Sequence, residues 1–130
     1  MSRKSKGINA ERELIHKFWA VNGWAAVRVA GSGSMKYPSA DILAGNSIRK
    51  LAIESKVIND TKKYFTEEEI KDLKEFATLF GAEPWLAIKF QKEQWFFMPA
   101  DDVEKTETNL VVSLEMTKRK GLLFEELVKS

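Results

Sequence analysis

Apolar positions fall at two periods along this chain, and the changes between them mark out its elements. Over residues 9–22, Leu14, Ile15, Phe18, Trp19 and Val21 recur at helical spacing, with Asn9 as N-cap and Gly23 as stop. Residues 24–30, with Val27 and Val29 among small neighbours, predict a strand running into Gly31-Ser32-Gly33-Ser34, a loop able to move or bind. Residues 41–44 predict a short strand and 51–57 a longer one; with Gly45-Asn46 in the turn region, they read as an antiparallel hairpin. A second helix is predicted over Glu67–Phe80: Thr66 and Glu69 have capping-box spacing, Ile70, Leu73, Phe76, Ala77 and Phe80 form an apolar stripe, and Gly81 ends it. Residues 85–90 and 94–98 supply two more strands and 122–128 a closing helix, while the short run 111–114 carries a weaker signal. Helix, three strands, helix and further strands make an α/β protein with a mixed sheet.

Composition narrows the class. A chain of 130 residues fits one domain, and 44% hydrophobic with 31% charged residues describes a globular protein. There are no cysteines, so disulfides are excluded; no leader is visible and no apolar run nears membrane-spanning length. The expectation is a cytoplasmic, nucleoid-associated protein with no membrane partner. A net charge of +2 is too mild to demand a polyanionic partner. Its distribution says more: Arg3, Lys4 and Lys6 form a basic N-terminal arm, and Lys118, Arg119 and Lys120 a second cluster. Either could follow a phosphate backbone, although short charge runs at chain ends are commonly just solvated.

The hairpin carries the candidate chemistry. Alternation along its second strand sends Leu51, Ile53, Ser55 and Val57 to one face and Ala52, Glu54 and Lys56 to the other. Glu54 and Lys56 are then side neighbours with Cβ atoms roughly 6.5 to 7 Å apart. Glutamate can hold a divalent cation while the ammonium reaches water beside it. If the shorter strand pairs with this one, Asp41 brings a second carboxylate, giving the hard oxygen ligands that magnesium prefers. Lys56 would stabilise the incipient hydroxide or the transition-state charge or, with its pKa lowered, act as base. An isolated Glu-x-Lys on a strand is more often a surface ion pair, and Asp41 is what alters that balance. Glu11 lies on the stripe of Ile15 and Phe18, where a carboxylate needs a reason: a metal role or the helix dipole.

Asp41, a twelve-residue interval and Glu54-Ser55-Lys56 resemble the PD-(D/E)xK nuclease signature. Beyond that motif, Ala10-Glu11-Arg12-Glu13-Leu14, Val27-Arg28-Val29-Ala30-Gly31-Ser32 and Asp41-Ile42-Leu43-Ala44-Gly45-Asn46 are similar, in order, to segments of archaeal Holliday-junction resolvases. The similarity runs on through Leu73-Lys74-Glu75-Phe76, Phe80-Gly81 and Leu86-Ala87-Ile88-Lys89-Phe90, covering about residues 3–98. Ala40 departs from the proline that often precedes the aspartate, a position that carries no ligand.

The resemblance implies a single nuclease domain over residues 1–130, with a restriction-endonuclease-like central mixed sheet flanked by helices. It implies a homodimeric, magnesium-dependent endonuclease that makes paired cuts in four-way junction DNA, with manganese able to substitute. It casts Glu11, Asp41 and Glu54 as acidic residues and metal ligands, the Ser55 carbonyl as a further ligand, Lys56 as catalytic lysine and Ser32 as a catalytic-loop residue. Arg12 and Arg28 match basic positions near DNA or the active centre, and Phe76 and Phe80 match a dimer interface, although periodicity alone makes the pair core. The rivals are another nuclease of the same superfold, which substrate comparison would separate, and an inactive DNA-binding module, which has no need of the full constellation.

The remaining candidates are plainer. His16 has no histidine or cysteine partner, which speaks against a zinc site and for partial burial. The four tryptophans, Trp19, Trp24, Trp85 and Trp95, suit a core. Residues 34–39 place Lys36 and Tyr37 between two site-bearing elements, in reach of DNA or simply solvated.

Overall fold

A computed structural model describes residues 3–31, 36–106 and 109–130, with side chains from residue 6 onward. In chain order the elements are α1 (Arg3–Trp19), β1 (Ala25–Arg28), β2 (Ile42–Gly45), β3 (Lys50–Ile58), β4 (Lys62–Phe65), α2 (Glu67–Phe80), β5 (Glu83–Phe90) and β6 (Trp95–Pro99). A 3-10 turn at Ala100–Asp102, β7 (Glu104–Lys105), β8 (Leu110–Ser113), α3 (Leu114–Lys120) and α4 (Phe124–Lys129) follow.

The predicted hairpin is β2 and β3, in the register Ile42↔Ile53 to Gly45↔Lys50. Its turn is built by Asn46, whose side chain accepts the N–H groups of Ile48 and Arg49 at 2.8 and 2.7 Å. Gly45 is required beside it, because a Cβ there would stand 2.7 Å from the carbonyl oxygen of Arg49. The hairpin belongs to a five-stranded sheet in the order β1-β2-β3-β5-β6. All neighbours are antiparallel except β3 and β5, which are parallel and joined by the crossover through β4 and α2.

Alternation along the strands feeds two cores. On one face Leu51 and Ile53 pack with Leu14 and Phe18 of α1 and Phe124 and Leu127 of α4. On the other, Ala52, Leu86 and Ile88 meet Ile70, Leu73 and Ala77 of α2 and Met116 of α3. Truncating a fully buried anchor such as Leu14 or Phe18 to alanine costs ~3 kcal/mol by the usual measure of core cavities. The α2 boundaries match the sequence expectation: the Thr66–Glu69 capping box is formed and Gly81 closes the helix in the left-handed region at φ 77°.

Several expectations need correction. Helix α1 starts at Arg3, ahead of Asn9, so Asn9 lies inside it and the basic arm is its first turns. The added turns precede Ala10, the first residue of the buried stripe, so no apolar period announces them. That stripe is Ala10, Leu14 and Phe18, which leaves Glu11 at its margin. His16 is exposed, and Trp19 is 58% exposed, its indole N–H reaching the carbonyl of Ala26 at 2.9 Å. The other three tryptophans are buried. A second sheet, β4-β8-β7, and helix α3 had no counterpart beyond the weak run at 111–114. Their signals are short: β4 buries only Phe65, β7 has two residues, and α3 buries only Met116 and Thr117.

Candidate active site

Strand β3 is nine residues long, but β2 pairs with only its first four. Over residues 54–58 the β3 ladder continues with β5 alone, so the β2 side opens as a notch. Asp41, immediately before β2, closes its upper end. The Asp41 N–H donates to the carbonyl of Ile53 at 2.9 Å, and its Oδ2 accepts the Ser55 N–H, also at 2.9 Å. The strand donor that β2 leaves behind is thereby satisfied by a carboxylate instead of a backbone carbonyl.

Glu54 and Lys56 point to the α2 face, as alternation requires, with Lys56 Nζ 3.4 Å from Glu54 Oε2. The same ammonium is 3.8 Å from Glu69 Oε2 on the first turn of α2. On the opposite face Glu11 accepts the Arg28 guanidinium at 2.8 Å, and its other oxygen is 3.5 Å from the Ser55 hydroxyl. Ser55 therefore touches both Asp41 and Glu11, and it links the two halves of the site.

The electrostatics are those of crowded carboxylates. Burial, then the charge of Asp41, pushes Glu54 up to about 7, against the pull of Lys56. Glu11 is also raised, chiefly by burial and further by Asp41, with Arg28 and Ser55 opposing. Burial pulls the Lys56 ammonium down, but Glu54, Glu69 and Asp41 together outweigh it and leave its pKa raised. This is opposite to the lowering that a base role anticipates; three carboxylates surround the amine. Among the described residues no three His, Cys, Asp or Glu side chains form a ready-made metal cage. The donors nevertheless suit a hard divalent cation: the charge of Asp41 helps raise Glu54, and a cation between the two carboxylates relieves that repulsion.

A family model described as archaeal Holliday junction resolvase (Hjc) matches residues 2–130. The chain belongs to the Hjc family. It is 39% identical to the crossover junction endodeoxyribonuclease Hjc of Archaeoglobus fulgidus over 130 residues, 95% of each chain. It is 36% identical to the protein of the same name from Sulfolobus acidocaldarius, covering 99% of this chain and 90% of that one. The solved structure of Archaeoglobus fulgidus Hjc, described as a Holliday junction resolvase from an archaeal hyperthermophile, superposes with a TM-score of 0.86 at 37% identity. That match covers 93% of this chain and 97% of the other. The mixed sheet flanked by helices is thus the Hjc fold, and the chain is an endonuclease of the resolvase family.

Within this Hjc fold the structure gathers Glu11, Asp41, Glu54, Ser55 and Lys56 around one notch. Arg28, expected near DNA or the active centre, is engaged by Glu11. Lys6 lines a groove beside the notch together with Gly7, Ser55, Lys56, Asn59 and Asp60, and its ammonium contacts the Asn59 side chain at 3.4 Å. Arg12 and Lys36 are exposed. Ser32 lies outside the described residues, and the side chains of Arg3 and Lys4 likewise. The second basic cluster ends α3, where Lys118 pairs with Glu93 and Arg119 with Glu115. Glu69 was legible only as a capping residue; its approach to Lys56 depends on the β3–α2 crossover, for which the sequence carries no local signal.

Proposed function

We propose that this endonuclease of the resolvase family cuts four-way junction DNA as a homodimer, using magnesium, or manganese in its place, held principally by Asp41 and Glu54. Glu11 and the Ser55 carbonyl complete the ligand set in this reading. The observation that carries it is the single notch in which two mutually repelling carboxylates face one lysine. When bound, the cation supplies charge neutralisation at the phosphoryl oxygens and acidifies the attacking water.

The protein's own residues do the rest. Lys56, kept protonated by its acidic neighbours, offers an ammonium to the charge that builds on the phosphate. Arg28 holds Glu11 in place, and Ser55 ties Asp41 and Glu11 to the same strand residue. The groove beside Lys6 gives the cut strand a path, with Arg3, Lys4, Arg12 and Lys36 as further phosphate contacts and Ser32 in the adjoining loop.

The dimer reading has its own support. Phe76 and Phe80 stack at 5.4 Å between ring centroids on α2. Phe80 is 48% exposed and Leu79 81%. Phe80 also borders an apolar hollow lined by Ala26, Val27, Leu43, Ala44 and Leu51. A ridge beside a hollow is what a two-fold contact between copies uses, since each can receive the other. Two copies provide the two centres that paired cutting of a symmetric junction needs.

Asp41→Asn and Glu54→Gln are the test of the metal assignment. Each should slow cleavage by a factor of ~100 or more while leaving junction affinity within a few-fold, because ligands and phosphate contacts are different groups. Equal loss of binding and cutting in a folded variant would contradict the assignment.

A further inference from the structure

Lys56 stands between two carboxylates, and the two are held in different ways. Glu54 is its neighbour on the same strand, 3.4 Å away, and in the reading above it is also a cation ligand. Glu69 comes from another element and divides its oxygens. Its Oε1 accepts the Thr66 N–H and hydroxyl, each at 3.3 Å, while Oε2 faces Lys56 Nζ at 3.8 Å. The Thr66 hydroxyl in turn accepts the Glu69 N–H at 3.0 Å. A capping box usually ends at the helix, with the N3 carboxylate serving only the cap. Here the same carboxylate has a free oxygen, and the fold turns that oxygen toward the lysine.

We propose that Glu69 is a positioning residue for Lys56, fixing the ammonium over the notch through its outer oxygen while its inner oxygen anchors it to the helix cap. The proposal rests on Lys56 being the catalytic lysine. A flexible four-carbon side chain samples many rotamers, and small displacements from the reacting atoms are expensive in rate. Glu54 cannot both serve a cation with its charge and remain the lysine's sole anchor. Glu69 is the second acidic contact that the structure gives this amine, and the cap makes it a rigid one.

The cap itself supplies the discriminating variant, because glutamine serves at N3 as glutamate does. Glu69→Gln keeps an oxygen for Thr66 and removes only the charge facing Lys56. In single-turnover cleavage of a fixed four-way junction by saturating enzyme with magnesium, Glu69→Gln should be about tenfold slower, a fraction of the roughly hundredfold or greater cost of losing a charge-stabilising donor outright. Its junction affinity in EDTA and its Tm should match the wild type. A wild-type cleavage rate overturns the proposal. Thr66→Ala is the control that removes the cap's hydroxyl but keeps both the charge and the Thr66 N–H that holds Oε1: it should lower Tm yet cut within threefold of wild type at a temperature below both melts. Equal loss of cutting in both variants would make Glu69 a capping residue only. A cycle with Lys56→Met completes the test. If Glu69 acts through the lysine, adding Glu69→Gln to Lys56→Met changes the residual rate no further, whereas a second tenfold drop overturns the proposal. Lys56→Met cutting at the wild-type rate would instead remove the catalytic lysine, and this inference with it.

Discussion

A carboxylate buried beside another carboxylate opposes folding wherever both are charged, and Glu54 is such a group. Its folded pKa of about 7 lies above the ordinary 4.5, so the folded state binds the proton more tightly than the unfolded chain. In metal-free protein the stability tied to this proton is full below about 4.5 and is lost as pH rises through about 7. Glu54→Gln removes the charge. Melted in EDTA at pH 8, that variant should exceed the wild type by a few degrees, and the gain should vanish near pH 4.5; no gain at pH 8 would contradict the crowded-carboxylate account. The same change should slow cleavage by a factor of ~100 or more. Asp41, Glu54 and Lys56 were legible in the sequence because a hairpin and strand alternation are local rules. Arg28 was read from the resemblance as a residue near DNA or the active centre; its pairing with Glu11 was not legible, because Glu11 lies on a helix whose orientation no local rule supplies.

At the scale of elements, the outward-lying pieces are tied by side chains more than by period. Arg49, in the hairpin turn, grips both oxygens of Glu83 at 2.9 Å and donates to the carbonyls of Leu127 and Ser130 at the same distance. One guanidinium thus joins the starts of β3 and β5 to the end of α4. Its hydrogen bonds hold the Glu83 carboxyl below the usual range, aided by the Trp85 indole N–H. A lowered folded pKa means the pair's contribution is present above the ordinary carboxylate value and lost as pH falls through the folded one. Arg49→Met should lower Tm by several degrees at pH 7.5 and leave cleavage unchanged, with the gap to wild type narrowing at pH 3.5. A pH-independent gap would point to lost packing on Trp24, whose ring the guanidinium also covers at 5.9 Å. Helix α2 was fully readable because its capping box, apolar stripe and closing Gly81 are all local signals. Strands β4, β7 and β8 were not: their stability comes from pairing with one another and from Phe65 and Val112 reaching the second core.

For the whole molecule the question is how one notch becomes two coordinated cuts. The sequence disclosed the fold class and the residues that the structure brings together at the notch, since hydrophobic period and motif order suffice for both, but a surface that two copies would share leaves no periodic trace of its own. Phe80→Ala, alone or with Phe76→Ala, should cost several kcal/mol of association and give folded monomers in sedimentation. Phe76 also packs against the second core, so the double variant should melt lower as well. A destabilised but fully dimeric protein would refute the interface. Cleavage of a fixed four-way junction, each strand labelled in turn, tests the central claim most directly. With magnesium the account predicts symmetric cuts in two opposed strands, linear duplex of the same sequence left largely intact, and no cutting in EDTA. Cutting that survives EDTA, or that falls equally on linear duplex, would contradict it.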